Sequence, residues 1–104
     1  MRDYVNVEKS LIPYGFDIFF LNDRYRMEFN YNKTEDLITV TLSKDGEILV
    51  YNEPLIYGSP LFEDIYKTEL FPMLNLVPID ESGVSRDLTY ENFGKTVFLT
   101  VEDE

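Results

Sequence analysis

With 104 residues, twenty Asp and Glu against nine Lys and Arg, and a formal charge of −11, the chain repels phosphate backbones and anionic lipid. Nucleic acid and membrane surfaces are therefore poor partners. Neither histidine nor cysteine occurs, which excludes disulfides, zinc sites that use imidazole or thiolate, and Ser-His or Cys-His nucleophile pairs.

The opening MRDYVNVEKS lacks the apolar core of a signal peptide, and the longest apolar run, Ile18 to Leu21, is far too short to span a bilayer. A soluble protein made in a cytoplasm is the expectation. After Pro13, GFDIFFL leads through an Asn22-Asp23 turn into RYRMEFNY. There Tyr25, Met27, Phe29 and Tyr31 alternate with Arg24, Arg26, Glu28 and Asn30, the period of a strand with one buried face. The Asn32-Lys33-Thr34 sequon reads as turn chemistry ahead of DLITVTLS, in which Ile38, Val40 and Leu42 alternate with Thr39, Thr41 and Ser43. Lys44-Asp45-Gly46-Glu47 predicts a tight hairpin, because Asp-Gly supplies the positive φ such turns need, and ILVY then returns. Residues 15–51 thus read as a meander of four antiparallel strands. One strand departs from alternation. Ile18-Phe19-Phe20-Leu21 is apolar on both faces, so a second layer of the domain or a partner should cover the extra face.

From Asn52 to Pro78 the regular pattern stops. Pro54, Pro60, Pro72 and Pro78 punctuate a segment that still carries Leu55, Ile56, Leu61, Phe62, Ile65, Leu70, Phe71, Met73, Leu74, Leu76 and Val77. That apolar content argues against disorder. Ser59-Pro60 offers a helix start, with Leu61, Phe62, Ile65 and Tyr66 on one face, so one short helix is admitted here. Beyond it, LVPID reads as a short strand and Glu81-Ser82-Gly83 as a turn. TVFLTV is the last strand, with Val97, Leu99 and Val101 alternating with Thr96, Phe98 and Thr100, and the terminal EDE is a solvated acidic tail. The fold expected is mainly β: one domain over 1–104, a small antiparallel barrel or sandwich of six to seven strands with a long irregular apolar loop.

Catalytic motifs are missing. There is no G-x-S-x-G, no glycine-rich phosphate loop and no S-x-x-K, so no enzyme activity is expected and no catalytic residue is named. The clusters Asp45-Gly46-Glu47 and Asp80-Glu81-Ser82-Gly83 lack the alternating spacing and distant bidentate Glu of a calcium loop, and ordinary turns explain them. Neither metal nor cofactor is expected. Eight Tyr and eight Phe suit a β core and an interface centre equally well. The acidity, likewise, fits solubility or attraction to a basic partner.

Four pieces occur in order: Tyr57-Gly58-x-Pro60-Leu61-Phe62, Pro78-Ile79-Asp80-x-Ser82-Gly83, Leu88-Thr89-Tyr90-Glu91-Asn92-Phe93-Gly94, and Thr96-Val97-Phe98-Leu99. With the leader into Ile12-Pro13-Tyr14, two hairpins and an acidic C-terminus, this order resembles the small baseplate plug proteins of contractile phage tails. The resemblance covers nearly the whole chain. It implies a non-enzymatic virion component in the central baseplate hub of a contractile tail or tail-like bacteriocin, as a plug or adaptor; multiple copies in the particle are expected beside it. It also implies synthesis in a bacterial host cytoplasm and partners among other hub proteins, with basic contact surfaces expected from the charge. Candidate motif or interface residues are Tyr57, Gly58, Pro60, Leu61, Phe62, Asn92, Phe93 and Gly94. Leu61 and Phe62 suit a lid over the domain's own core, and Tyr57 a contact with a partner. The alternative is a small β-sandwich module that binds a glycan or a peptide.

Overall fold

A computed structural model describes residues 4–20, 23–62 and 74–103. Seven strands form two antiparallel sheets: β1 (Tyr4–Val5), β2 (Tyr14–Phe20), β3 (Asp23–Asn32), β4 (Leu37–Lys44), β5 (Glu47–Pro54), β6 (Leu74–Ile79) and β7 (Phe98–Asp103). The first sheet is the meander β2-β3-β4-β5, and the second has the order β1-β7-β6. No strand pairs across the two sheets among the described residues, so the arrangement is the sandwich and not the closed barrel. A 3₁₀ turn at Lys9–Leu11 follows β1. No helix among the described residues is long and apolar enough to cross a membrane.

The alternation in the sequence decides which face each strand of the meander buries. Along β3, Tyr25, Met27 and Phe29 are buried while Arg24, Arg26, Glu28 and Asn30 are exposed. Across the ladder, Met27 faces Leu42 and Phe29 faces Val40, so the buried set of β4 stands directly opposite the buried set of β3. Val5, Leu76 and Leu99 of the second sheet join the same cluster. At the β4–β5 turn Asp45 and Gly46 both take positive φ, 52° and 81°, and Lys44 pairs with Glu47. Two residues at positive φ match the right-handed twist of the strands they join. At the sequon, Asn32 Oδ1 accepts the N–H groups of Thr34 and Glu35 at 3.0 and 3.3 Å, which is the turn chemistry expected there.

Three features depart from the sequence reading. A two-residue strand, β1, pairs Tyr4 with Thr100 and Val5 with Leu99 where only a leader was expected. Strand β7 runs on through Glu102 and Asp103, opposite Asn75 and Leu74, so part of the acidic tail is a strand. Instead of opening a helix, Leu61 and Phe62 form a turn in which Phe62 has φ 62°. Ile65 and Tyr66 of that expected helix lie outside the described residues, as does Leu21. The two-sided apolar run of β2 is resolved unevenly: Ile18 packs against the core and Phe20 is buried, but Phe19 remains 68% exposed.

Pro78 sits inside β6 without breaking it because β6 is an edge strand. Its carbonyl points away from β7 and accepts the Gly58 N–H. In an antiparallel strand a residue's N–H points the same way as its C=O, so the donor that proline lacks is not one the β7 ladder needed.

Phe62 is fully buried, and truncating a buried Phe costs about 3–5 kcal/mol. Phe62→Ala should lower the free energy of urea unfolding by that amount, whereas Phe19→Ala at an exposed position should change it by less than ~0.5 kcal/mol. Equal effects from the two substitutions would mean that Phe62 does not close the core.

Candidate functional site

The stretch from Leu55 to Phe62 is neither strand nor helix, and its backbone shows how it is held. Leu55 N–H donates to Ile38 O at 2.8 Å, still within reach of β4. Ile56 to Ser59 is then a turn, closed by Ser59 N–H on Ile56 O at 3.0 Å, with Gly58 at φ 76°. A side chain at that φ would be strained, and glycine avoids the penalty. Gly58 N–H and Leu61 N–H then reach Pro78 O and Leu76 O at 2.8 and 2.9 Å. The segment thus lies along the outer edge of β6 and bonds to two alternate carbonyls of that strand through donors three residues apart. Proline at position 60 has no N–H to leave unpaired between those two bonds.

This course separates the side chains. Leu61 and Phe62 enter the core, and the left-handed backbone of Phe62 is held by its buried ring and by an N–H bond to Glu53 Oε2 at 2.8 Å. Tyr57 stays half-buried, and its hydroxyl accepts the Asp80 N–H at 3.1 Å. It therefore serves its own chain as well as facing outward.

Asp80 organises the next turn. Its carboxylate accepts Ser82 Oγ at 2.6 Å, Ser82 N–H at 2.9 Å and Ser85 N–H at 2.7 Å. The Ser82 hydroxyl, followed by the Ser85 amide, holds this carboxyl down at about 2, against an ordinary value of 3.8, because each bond favours the charged form. Asn92 plays the corresponding part in the following loop. Asn92 Oδ1 accepts Thr89 N–H, its own N–H donates to Thr89 Oγ1, and Nδ2 donates to Asp87 O at 2.9 Å. Asn92 O also accepts the amides of Lys95, Thr96 and Val97. Phe93 is buried, and Gly94 at φ 84° turns the chain toward β7.

Lys9 ties this loop to the opposite end of the chain. Its ammonium donates to Tyr90 O and Glu91 O at 2.5 and 2.9 Å and lies 4.9 Å from the Tyr90 ring centroid. The Tyr90 ring packs at a tilt, centroids 4.7 Å apart, on Tyr31, whose hydroxyl donates to Asp36 Oδ1 at 2.7 Å. Tyr90 N–H donates to the same oxygen. The Tyr31 hydroxyl, then the Tyr90 amide, lowers the Asp36 carboxyl below its usual range.

The β3–β4 turn, the Ile56-Tyr57 turn and residues 86–89 enclose a cleft of about 450 Å³. Glu35, Asp36 and Asp87 supply three carboxylates to it against the one guanidinium of Arg86, and Ile56, 47% exposed, supplies an apolar wall. Of the eight candidate residues, only Tyr57 lines this cleft, while Asn92 braces its far wall through Asp87 and Thr89. Phe93 and Gly94 border a different depression, of about 200 Å³, beside the Tyr4–Phe98 ring pair. Leu61 and Phe62 belong to the core, and Pro60 lies between the two bonds to β6. Lys9, Tyr31 and Asp36 were not singled out by the sequence, and no local spacing marks them. Among the described residues no group of three or more carboxylates is placed to hold a metal ion.

Asp80 offers a test of this architecture. A carboxyl whose folded pKa is depressed contributes stability that is complete above its unfolded value and is lost as pH falls through the folded one. The Asp80 contribution should therefore be intact above pH 3.8 and fade toward pH 2. Unfolding free energy measured across that window should fall less steeply in Asp80→Asn than in the parent. Identical slopes would remove Asp80 as the organiser of its turn.

The family model described as cyanophage baseplate Pam3 plug gp18 matches residues 2–104. No curated protein matches the chain.

Proposed function

The chain belongs to the cyanophage baseplate plug family, a family of baseplate structural proteins, and from that premise we propose that it is a plug or adaptor seated in the central hub of a contractile tail or tail-like bacteriocin. The observation that carries the proposal is the extent of the match, which runs over residues 2–104 and includes every piece of the ordered motif. In this role the chain is one domain, made in a bacterial host cytoplasm and built into the particle in multiple copies beside other hub proteins. It performs no catalysis and needs no cofactor or metal. Its interior supports this: Asp80 and Asn92 spend their hydrogen-bonding capacity on backbone amides of their own loops, as scaffold residues do.

The cleft beside Tyr57 is the contact we assign to a neighbour. Its carboxylates outnumber its one guanidinium, and Ile56 and Tyr57 give it apolar surface, so it suits a basic segment carrying an apolar side chain. Charge-led contacts between exposed groups weaken once the screening length falls below about 10 Å, near 0.1 M salt.

Tail particles purified from the producing host should contain the protein, and washing them with rising salt should release it progressively. Its absence from the particles, together with sugar binding by the isolated chain, would favour a glycan module instead. Release indifferent to salt would mean that the acidity serves solubility alone. Melting curves with and without chelator should coincide, and a clear loss of stability with chelator would reveal a metal requirement.

A further inference from the structure

A two-sheet sandwich has four sheet edges, and in this chain three of them are closed in different ways. The β6 edge is taken by Gly58 and Leu61, whose amides bond to it. The β5 edge is broken by two register irregularities against β4, by Asn52 at φ 49° and by Pro54 at its end. Bulges and prolines of this kind are how edges are protected from adding another strand. The β1 edge spans two residues, Tyr4 and Val5, among those described. Strand β2 is different: its seven residues pair with β3 at seven consecutive positions without a shift, and YGFDIFF contains no proline, no lysine and one charge, Asp17.

The side chains along this edge are also unfinished. On the outer face Phe19 is 68% exposed beside Arg24, its cross-strand neighbour. On the inner face Phe16 and Ile18 pack on the core but remain half-buried, because no strand lies beyond them among the described residues. Asp17 is loosely held: its carboxylate is 3.6 Å from Arg26, whose Nε lies closer to Glu28, at 3.1 Å.

We propose that β2 is the edge to which an extended strand of a neighbouring baseplate protein adds, with an apolar residue opposite Phe19 and a Lys or Arg opposite Asp17. The inference rests on the baseplate assignment above. Residues 17 and 19 share the outer face, so the added strand carries its basic and apolar residues two positions apart, and the residue between them covers Ile18. Main-chain bonds supply the affinity in such an addition and alternate side chains supply the selection. A second copy of this chain is a poorer occupant. Antiparallel pairing of two β2 edges about Asp17 sets two carboxylates face to face, and pairing about Ile18 sets each Asp17 against a Phe19 ring. Each copy also carries a charge of −11.

The test places Phe19→Glu, Phe19→Thr and Asp17→Lys in the producing host, with Tyr51→Glu on the bulged β5 edge as the control, Tyr51 being 72% exposed. Each purified chain is melted and sedimented, and its amount per tail particle is measured. All four should melt with the parent; Phe19→Thr keeps strand propensity, should Phe19→Glu fold poorly. The Phe19 and Asp17 variants should fall about tenfold or more in the particle, as loss of an interface anchor does, while Tyr51→Glu stays at the parent level. Parent-level incorporation of both Phe19 variants overturns the proposal. So does a parent dimer that Phe19→Glu converts to monomer, since the occupant is then a second copy. If the parent itself is missing from the particles, the baseplate assignment has failed, which is a separate result.

Discussion

Two backbone hydrogen bonds, from Gly58 N–H to Pro78 O and from Leu61 N–H to Leu76 O, hold the irregular segment against the edge of β6, and much of the remaining structure depends on them. With the segment in that line, Leu61 and Phe62 drop into the core between the sheets, where both are fully buried. The same line sets the Tyr57 hydroxyl on the Asp80 amide, which starts the turn that the Asp80 carboxylate then completes. An edge that would otherwise expose unpaired groups becomes the seat of the lid and one wall of the cleft. The bonded residues, 58 and 61 on the segment against 78 and 76 on the strand, explain why proline is tolerated in both: Pro60 lies between the two donors, and the Pro78 nitrogen faces away from β7. Each proline stands where no ladder bond was to be made.

The meander was readable in the sequence because its signals are local. The period of two in β3 and β4 and the Asp45-Gly46 turn determine strand, face and hairpin within a few residues of chain. The course of residues 55–62 was not readable in the same way, because it is set by acceptors on β6 some fifteen to twenty positions away. Ser59-Pro60 has the residues of a helix start, but pairing with β6 and the burial of Phe62 at φ 62° override that local preference. Strand β1 was invisible for a related reason. Two residues carry no periodicity, and only the partner β7 defines them. Of the residues that line the cleft, Tyr57 belongs to the motif. The acidic character of its cleft could not be read from the sequence, since Glu35, Asp36 and Asp87 meet only after the β3–β4 turn and the 86–89 loop are brought together.

The few positive charges explain how the chain presents its excess of negative ones. Lys9 is spent on the Tyr90 and Glu91 carbonyls, Arg26 on Asp17 and Glu28, Lys44 on Asp23, and Lys95 on Glu91. These exposed pairs add little stability one by one. Their effect on recognition is larger, because a cation already engaged with its own chain is less free to meet a partner's carboxylate. The charged groups around the cleft are mostly acidic, with Glu35, Asp36 and Asp87 against Arg86.

That excess also keeps its sign across the ordinary pH range. Without histidine or cysteine, no side chain of ordinary pKa changes charge between pH 5 and 8, and only an amino terminus titrates near that interval. Asp36 and Asp80 are both moved downward, further from it, by bonds that favour the ionised form. The hydroxyl of Tyr31 is moved upward, first by its bond to Asp36, and so stays protonated as a donor. In the contact proposed above, binding depends on the charge and apolar surface of the neighbour and on the salt between them, and the acidic face offered to it is constant across that pH range.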